Sequence, residues 1–265
     1  MSLIHASAVI ENGAIIGDNV SVGPFAYIGS QVTIGEGTTV ASHAVIEGKT
    51  TIGKNNRIFS HSAVGTIPQD LKFNGEDVEL IIGDNNTIRE FTLLNPGTKG
   101  GGSITKIGSK NLLMGYVHLG HDVIIGNHCI LANGATLAGH VELGNHVVVG
   151  GLTPVHQFVH IGDYAMIGGA SALAQDIPPY CLAEGNRAHL RGLNFTGLRR
   201  QISREEINTL KSAYRVLFEQ DNAIQDVAQE LLDTTDSEHV KNLCTFIKSS
   251  KRGIPFNRIK KSKDK

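Results

Sequence analysis

The sequence has no tryptophan, and aromatic residues fill only 5% of its 265 positions. A core with so few large rings must be built from Val, Ile, Leu and Ala, in thin layers. Neither sign of charge is in excess. The formal net charge is −1 and the pI is near 6.9, so the chain as a whole carries no electrostatic footprint for nucleic acid or a membrane surface. Cysteine is scarce. Cys129, Cys181 and Cys244 are odd in number, widely spaced and without a CxxC. That argues against a disulfide framework and a zinc–cysteine site, and leaves incidental thiols of a reducing compartment. Long apolar runs are missing too: no stretch approaches the ~20 residues of a membrane span. Met1-Ser2-Leu3-Ile4-His5 lacks the basic-then-apolar order of a signal peptide. The chain reads as soluble and cytoplasmic.

Glycine, by contrast, is abundant at 31 residues, which suggests many turns needing positive φ. An internal repeat accounts for the spacing. A six-residue ruler placed on Ile4 meets Ile or Val eleven times in succession, ending at Ile52, Ile58 and Val64. A short run covers Ile82, Ile88 and Leu94, and twelve more hits run from Ile107 to Leu173. Period six is neither the 3.6 of a helix nor the 2 of a surface strand. It places one aliphatic residue inward per short strand, with a turn before the next. Three hexads then make a triangular coil of 18 residues, and coils stack at roughly the ~4.8 Å strand spacing. Each coil buries its ladder only against its neighbours. The expected fold is therefore a parallel β-helix, mainly β, over 1–190. The ruler breaks at 66–81 and 95–106, which read as two loops thrown out from the prism, a place where repeat arrays commonly carry function.

Beyond Pro178-Pro179 the period changes. Ser203-Arg204-Glu205-Glu206 reads as a capping box, with Ile207, Leu210, Tyr214 and Leu217 at helical spacing behind it. Further helices are expected over 223–232 and 239–247, giving a small C-terminal α-helical domain over 191–265 that caps the solenoid. Its tail, 248–265, holds eight Lys or Arg against one Asp and reads either as a solvated end or as a docking surface for an acidic partner.

One constellation carries chemistry: His118-Leu119-Gly120-His121-Asp122, followed by Gly139-His140. Asp122 and His140 are one full coil apart, as are His121 and Gly139, so each pair stacks in adjacent coils. Two imidazoles, a carboxylate and a backbone amide without a side chain thus crowd one corner. That suits general-base chemistry: an imidazole takes a proton from an alcohol or amine, the carboxylate fixes its tautomer, and the amide donates to an oxyanion. No Ser or Cys nucleophile is required. His128 and His146 are also one coil apart, as a possible surface ladder. His156 and His160 are four apart but have no third partner, so no metal site is expected.

These residues resemble a known family. The ladder is similar to that of the left-handed β-helix acyltransferases, and within them to the UDP-N-acetylglucosamine acyltransferases that begin lipid A synthesis. The matching stretches are Gln69-Asp70-Leu71-Lys72, Asn111-Leu-Leu-Met, His118-x-x-His121-Asp122, Cys129-Ile-Leu-Ala-Asn, Thr136-Leu-Ala-Gly-His140, Val155-His-Gln-Phe158, Ala174-Gln-Asp-x-Pro-Pro-Tyr180 and Glu184-Gly-Asn186. The resemblance implies that His121 is the general base, Asp122 its orienting carboxylate and the Gly139 amide the oxyanion donor. It implies that His118, His140, His156 and Gln157 line the acyl and sugar sites, and that Gln69, Asp70, Leu71 and Lys72 form a loop gripping substrate. It places Asn194 and Arg200 near the nucleotide, and Gly169 where acyl-chain length is limited, a glycine there implying a long 3-hydroxyacyl chain. The sequence departs from the family pattern at Thr196, where an acid is usual, and at Gln201, where a further Arg is usual.

The implied assembly is a homotrimer with sites between subunits. The partners are acyl carrier protein, bringing the acyl thioester, and a UDP-sugar acceptor bearing a 3-hydroxyl or a 3-amine, with no further cofactor. A related N-acyltransferase of the same pathway would carry an extra N-terminal uridine-binding domain, whereas here the ladder starts at Ile4. A non-enzymatic β-helical assembly subunit would not need the stack of His121, Asp122 and Gly139.

Overall fold

The computed structural model describes residues 3–220 and 223–256. Short strands, mostly of two residues, line up in three sheets of eleven, eight and eight strands, parallel except for the last strand of the largest. The three-hexad register holds from the first coil: Leu3 pairs with Ser21, Val9 with Tyr27 and Ile15 with Thr33. The two breaks of the ruler are insertions into this register. An unbroken coil would set Lys49 beside Ile67; it pairs instead with Glu79, so the first loop adds twelve positions. Glu79 in turn would meet Gly97 but pairs with Ile104, so the second adds seven. Strands resume at Glu79–Ile82 and Ile104–Ile107, inside the bounds expected for the loops.

The core is richer than one aliphatic residue per hexad. The second strand residue is buried, as at Ile28, Ile34 and Ile46, and so is a small residue two positions earlier, as at Ala26, Val32 and Ala44. In the middle coils that second position is polar. The Asn56 side chain accepts from the Asn86 amide at 2.8 Å, Asn86 from Asn111 at 2.9 Å, and Asn111 from Cys129 at 2.7 Å. A buried asparagine ladder thus satisfies turn N–H groups that the tight corner leaves unpaired. Cys129 ends this ladder. It and the other two cysteines are buried, and burial pushes the Cys129 thiol up to about 12 and that of Cys244 to about 11, which fits inert packing thiols.

The glycines do not play the part their number suggested. Among the described residues, left-handed φ falls on twenty non-glycine residues, Phe25, His43, His61, Asp122 and His140 among them, and on only ten glycines. The glycine that follows the ladder residue is needed for clearance: a Cβ on Gly35 would lie 2.6 Å from the carbonyl carbon of Gly53 in the next coil. The left-handed turn residues cost roughly 1–2 kcal/mol each for an L-residue. Stacking between successive coils offsets part of this. Phe25, His43, His61, Phe91 and Tyr116 form one column along a corner, with ring centroids 5.1–5.2 Å apart.

The prism ends in a feature the ladder did not announce. Cys181–Glu184 adds to the sheet in parallel, and His189–Leu193 returns antiparallel beside it, so the boundary expected at 190/191 falls within a strand. Four helices follow: α1 (Phe195–Leu198), α2 (Arg204–Phe218), α3 (Ile224–Thr234) and α4 (Glu238–Ser249). Ser203 and Glu206 form the expected capping box. The chain then folds back on the last coil, where the Ser250 hydroxyl donates to Asp176 at 2.7 Å and the Arg252 guanidinium to the Ala174 carbonyl at 2.9 Å. Most of the basic tail, 257–265, lies outside the described residues.

Candidate active site

Coil register brings the expected pairs together at one corner. Asp122 sits in a turn at φ +60 with its side chain only 1% exposed. Its Oδ2 lies 2.8 Å from His121 Nδ1, and the His121 side chain is 20% exposed. With Asp122 as a carboxylate, His121 donates from Nδ1, and Nε2 is left as a proton acceptor at the open edge of the ring. Gly139 lies in the next coil directly against that edge: a Cβ there would sit 2.5 Å from His121 Cε1 and 2.6 Å from Nε2. Among the described residues no acceptor takes the Gly139 N–H. His140 meets His121 edge-on at 5.0 Å and stacks on Phe158 at 4.4 Å. Its Nδ1 is 3.9 Å from the Asp122 carboxylate, beyond hydrogen-bond range. Burial holds His140 below the usual imidazole value, with Asp122 and Asp70 opposing and His121 reinforcing the shift. Burial lowers His118 as well, against a contact of its Nδ1 with the Leu93 carbonyl at 3.2 Å.

Both inserted loops reach this corner. From the second, the Thr98 backbone N–H donates to Asp122 Oδ1 at 2.9 Å and its hydroxyl to Oδ2 at 2.6 Å. Gly101 packs so closely on the same carboxylate that any side chain there would collide with it. From the first, Asp70 and Lys72 join Glu76, Thr98, His140 and Phe158 around a cleft of about 480 Å³.

These features have close counterparts. Residues 13–48 and 104–139 match the family model "Bacterial transferase hexapeptide (six repeats)", and residues 176–255 match "Udp N-acetylglucosamine O-acyltransferase; Domain 2". An acyl-[acyl-carrier-protein]–UDP-N-acetylglucosamine O-acyltransferase from Sulfurovum is 81% identical over 258 residues, covering 97% of this chain and 99% of that protein. The chain belongs to the UDP-N-acetylglucosamine O-acyltransferase family. Another relative of the same name, from Aliarcobacter butzleri, is 68% identical over 97% of this chain and 100% of its own length. Among solved structures, the UDP-N-acetylglucosamine acyltransferase from Campylobacter jejuni superposes with a TM-score of 0.93 at 49% identity, covering 96% of this chain and 100% of that one.

Set on this acyltransferase fold, the expected site residues divide. His121, Asp122, Gly139, His140, Asp70 and Lys72 gather at the corner just described, and His118 lies on the two-residue strand that precedes it, His118–Leu119. Gln157 follows His121 and Gly139 in the same column one coil on, and is exposed. His156 lines a separate groove of about 650 Å³ with Leu173, Gln175, Asn186, Arg187 and His189. Gln69 and Leu71 are exposed on the first loop. Gly169 is exposed, and a Cβ there would find nothing closer than the Gly151 carbonyl oxygen at 3.5 Å, so the position has room for a side chain.

Asn194 lies elsewhere. It caps α1 by accepting from Gly197 N at 3.1 Å, and its amide donates at 3.0 Å to the carbonyl of Tyr164, whose ring continues a stack of His128 and His146 along another corner. Arg200 is exposed just beyond α1, near Thr196 and Gln201.

Thr98, Gly101 and Phe158 were not foreseen from sequence. Phe158 was within reach of coil arithmetic, standing one full coil after His140. Thr98 was not, because the insertion breaks the count between it and Asp122. Among the described residues, His121, Asp122 and His140 are the one group with metal-ligand spacing, within 4.8 Å of each other. The donor set fits a metal poorly: His121 and Thr98 already engage both oxygens of Asp122. His160 faces Glu142 at 3.7 Å, away from any such group. Among the described residues, no helix is long and apolar enough to cross a membrane.

Proposed function

We propose that this chain transfers an (R)-3-hydroxyacyl group from acyl carrier protein to the 3-hydroxyl of UDP-N-acetylglucosamine, the first step of lipid A synthesis. The observation that carries the reading is the 2.8 Å contact between His121 Nδ1 and a buried Asp122, which presents Nε2 beside the Gly139 backbone. His121 Nε2 takes the proton of the sugar hydroxyl, whose oxygen attacks the thioester carbonyl carbon. The Gly139 N–H donates to the oxyanion of the tetrahedral intermediate. The C–S bond then breaks, and His121 returns its proton to the carrier thiol. The thioester supplies the activated acyl group, so the proposed reaction calls for no cofactor.

Family resemblance assigns Asn194 and Arg200 to the nucleotide, yet they lie by a different corner from His121. A homotrimer in which the helical segment of one subunit faces the His121 corner of the next reconciles the two. Charge supports Lys72 and Arg200 as contacts to the diphosphate, and the open Gly169 supports a long acyl chain. The cytoplasm, where acyl carrier protein is charged, is the fitting compartment.

The test is transfer by the purified protein from a series of (R)-3-hydroxyacyl carrier thioesters to UDP-N-acetylglucosamine and, in parallel, to its 3-amino analogue. Ester formation at the 3-position is the expected result, and absence of transfer to either sugar would sink the reading. Sedimentation should give three times the 28.3 kDa chain mass.

A further inference from the structure

We propose that Thr98 is a positioning residue for this reaction: it holds the Asp122 carboxylate on His121 and away from His140, and so selects which imidazole serves as base. The inference rests on the acyltransfer reading above. Two imidazoles face the same oxygen of Asp122, Oδ2: His121 Nδ1 hydrogen-bonds it at 2.8 Å, and His140 Nδ1 stands at 3.9 Å, just beyond that range. A carboxylate free to turn about its last bond would be shared between them. Thr98 removes that freedom. Its backbone N–H takes Oδ1 at 2.9 Å and its hydroxyl takes Oδ2 at 2.6 Å, so one residue grips both oxygens and fixes the carboxylate plane.

The clamp is itself built in. Thr98 is 5% exposed, and its carbonyl accepts the backbone N–H groups of Gly101 and Ser103, both at 2.9 Å, closing a tight turn. Gly101 then packs on the far side of the carboxylate, where no side chain fits. A short insertion into an otherwise regular coil therefore ends as a socket for one carboxylate. Hydrogen bonds to an ionised acceptor are short and strong, and the 2.6 Å contact from the hydroxyl is of that kind.

The corner lower on the chain is the internal contrast. His128 and His146 stack face to face at 4.7 Å, and among the described residues neither ring pairs with a carboxylate: the nearby Asp163 accepts from Asn145 and Asn242 instead. At the Asp122 corner the two rings instead stand at 88° to each other, and only one of them reaches the acid.

Thr98→Val keeps the backbone N–H and the shape of the side chain but removes the hydroxyl; Thr98→Ser keeps both donors. We expect Thr98→Val to lower kcat by about tenfold or more, the scale of one charge-assisted hydrogen bond, with KM for UDP-N-acetylglucosamine nearly unchanged, and Thr98→Ser to restore kcat. Imidazole 15N spectra of the free full-length protein need no turnover. They should show His121 protonated at Nδ1 in the wild type and Thr98→Ser, and a mixed tautomer in Thr98→Val. An unmoved His121 tautomer in Thr98→Val overturns the proposal, whatever happens to the rate. So does wild-type kcat, or a Thr98→Ser variant as slow as Thr98→Val. If Thr98→Val does not fold, Thr98→Ala is read in the same way, and failure of both to fold makes Thr98 a structural residue and ends the proposal. A wild-type protein with no transferase activity but the expected tautomers would count against the acyltransfer reading alone.

Discussion

Two corners of the same prism carry histidines in adjacent coils, and they have become different things. At one, His128 and His146 lie flat on each other, 2° from parallel, and the column continues through Tyr164 at 4.6 Å to Tyr180, whose hydroxyl meets His239 of α4 at 3.1 Å. That column ties the coils to the helical segment. At the other, His121 and His140 stand edge to face with a buried acid beside them. The repeat supplies stacking at both. What separates them is a missing side chain at Gly139, which lets the His121 ring lie against the next coil, and an inserted loop that grips Asp122. A solenoid acquires a reactive group where its regularity is interrupted.

The largest expected effect tests that division directly. His121→Ala should lower turnover by about 10³-fold, within the range for loss of a positioned general base, and leave the melting temperature near that of the wild type. His128→Ala, at the stacking corner, should cost far less turnover, because its ring stacks on His146 and contacts neither Asp122 nor His121. Equal losses of activity in the two variants would erase the distinction between the corners.

Complementation comes next. If His121 of one subunit works with Arg200 of its neighbour, co-expressed His121→Ala and Arg200→Ala chains should recover activity that neither variant has alone. Random mixing in a cyclic trimer leaves about one site in four with both residues intact, so recovery to roughly that fraction of wild-type activity is expected. Activity no greater than the sum of the separate variants would place both residues of a site on one chain.

Glycine gives the third contrast. Gly139→Ala puts a Cβ within 2.6 Å of His121 Nε2, so the ring must move. Displacement of a catalytic group by about 1 Å can cost about 10²-fold, and kcat should fall by roughly that much while the fold is kept. Gly169→Ala meets only an ordinary contact at 3.5 Å. It should keep the wild-type rate with short acyl chains and lose rate progressively with longer ones, measured on a carrier-thioester series.

Much of this was legible in the sequence, because period six is a geometric statement. The hits from Ile4 to Leu173 set the coil, and the coil set Asp122 beside His140 and His121 against Gly139, as found. Legibility ended where the period did. Thr98 reaches Asp122 across an insertion whose path no periodicity dictates. The turn glycines misled for a related reason: stacked coils crowd the backbone, so a missing Cβ mattered more for clearance than for φ, and side chains such as His140 and Asp122 took the left-handed positions. The hairpin at Cys181–Leu193 has no hexad signal, since its second strand runs antiparallel to the ladder. Asn194 sits at the other corner because its amide is spent on capping α1 and on the Tyr164 carbonyl, a pairing no spacing reveals.

The smallest expected effect does not respect the two corners. Burial holds His118 and His140, on the His121 side, and His146, in the stack, below the ordinary imidazole value. In the unfolded chain each takes a proton near pH ~6.5; in the fold each does so only at lower pH. Between those values the unfolded chain binds more protons, so acid favours unfolding. The stability these histidines contribute is present above the unfolded value and is lost as pH falls through the folded values. Melting temperature should hold steady above about pH 7 and decline progressively below ~6.5. His118→Gln should flatten the decline, because an amide can still donate to the Leu93 carbonyl but takes up no proton. A melting temperature that rose on acidification would contradict the burial of these rings. A neutral His140 at working pH has a consequence for the catalytic corner as well. It brings no positive charge to compete for Asp122, which in the proposed reaction leaves the carboxylate to the imidazolium formed on His121.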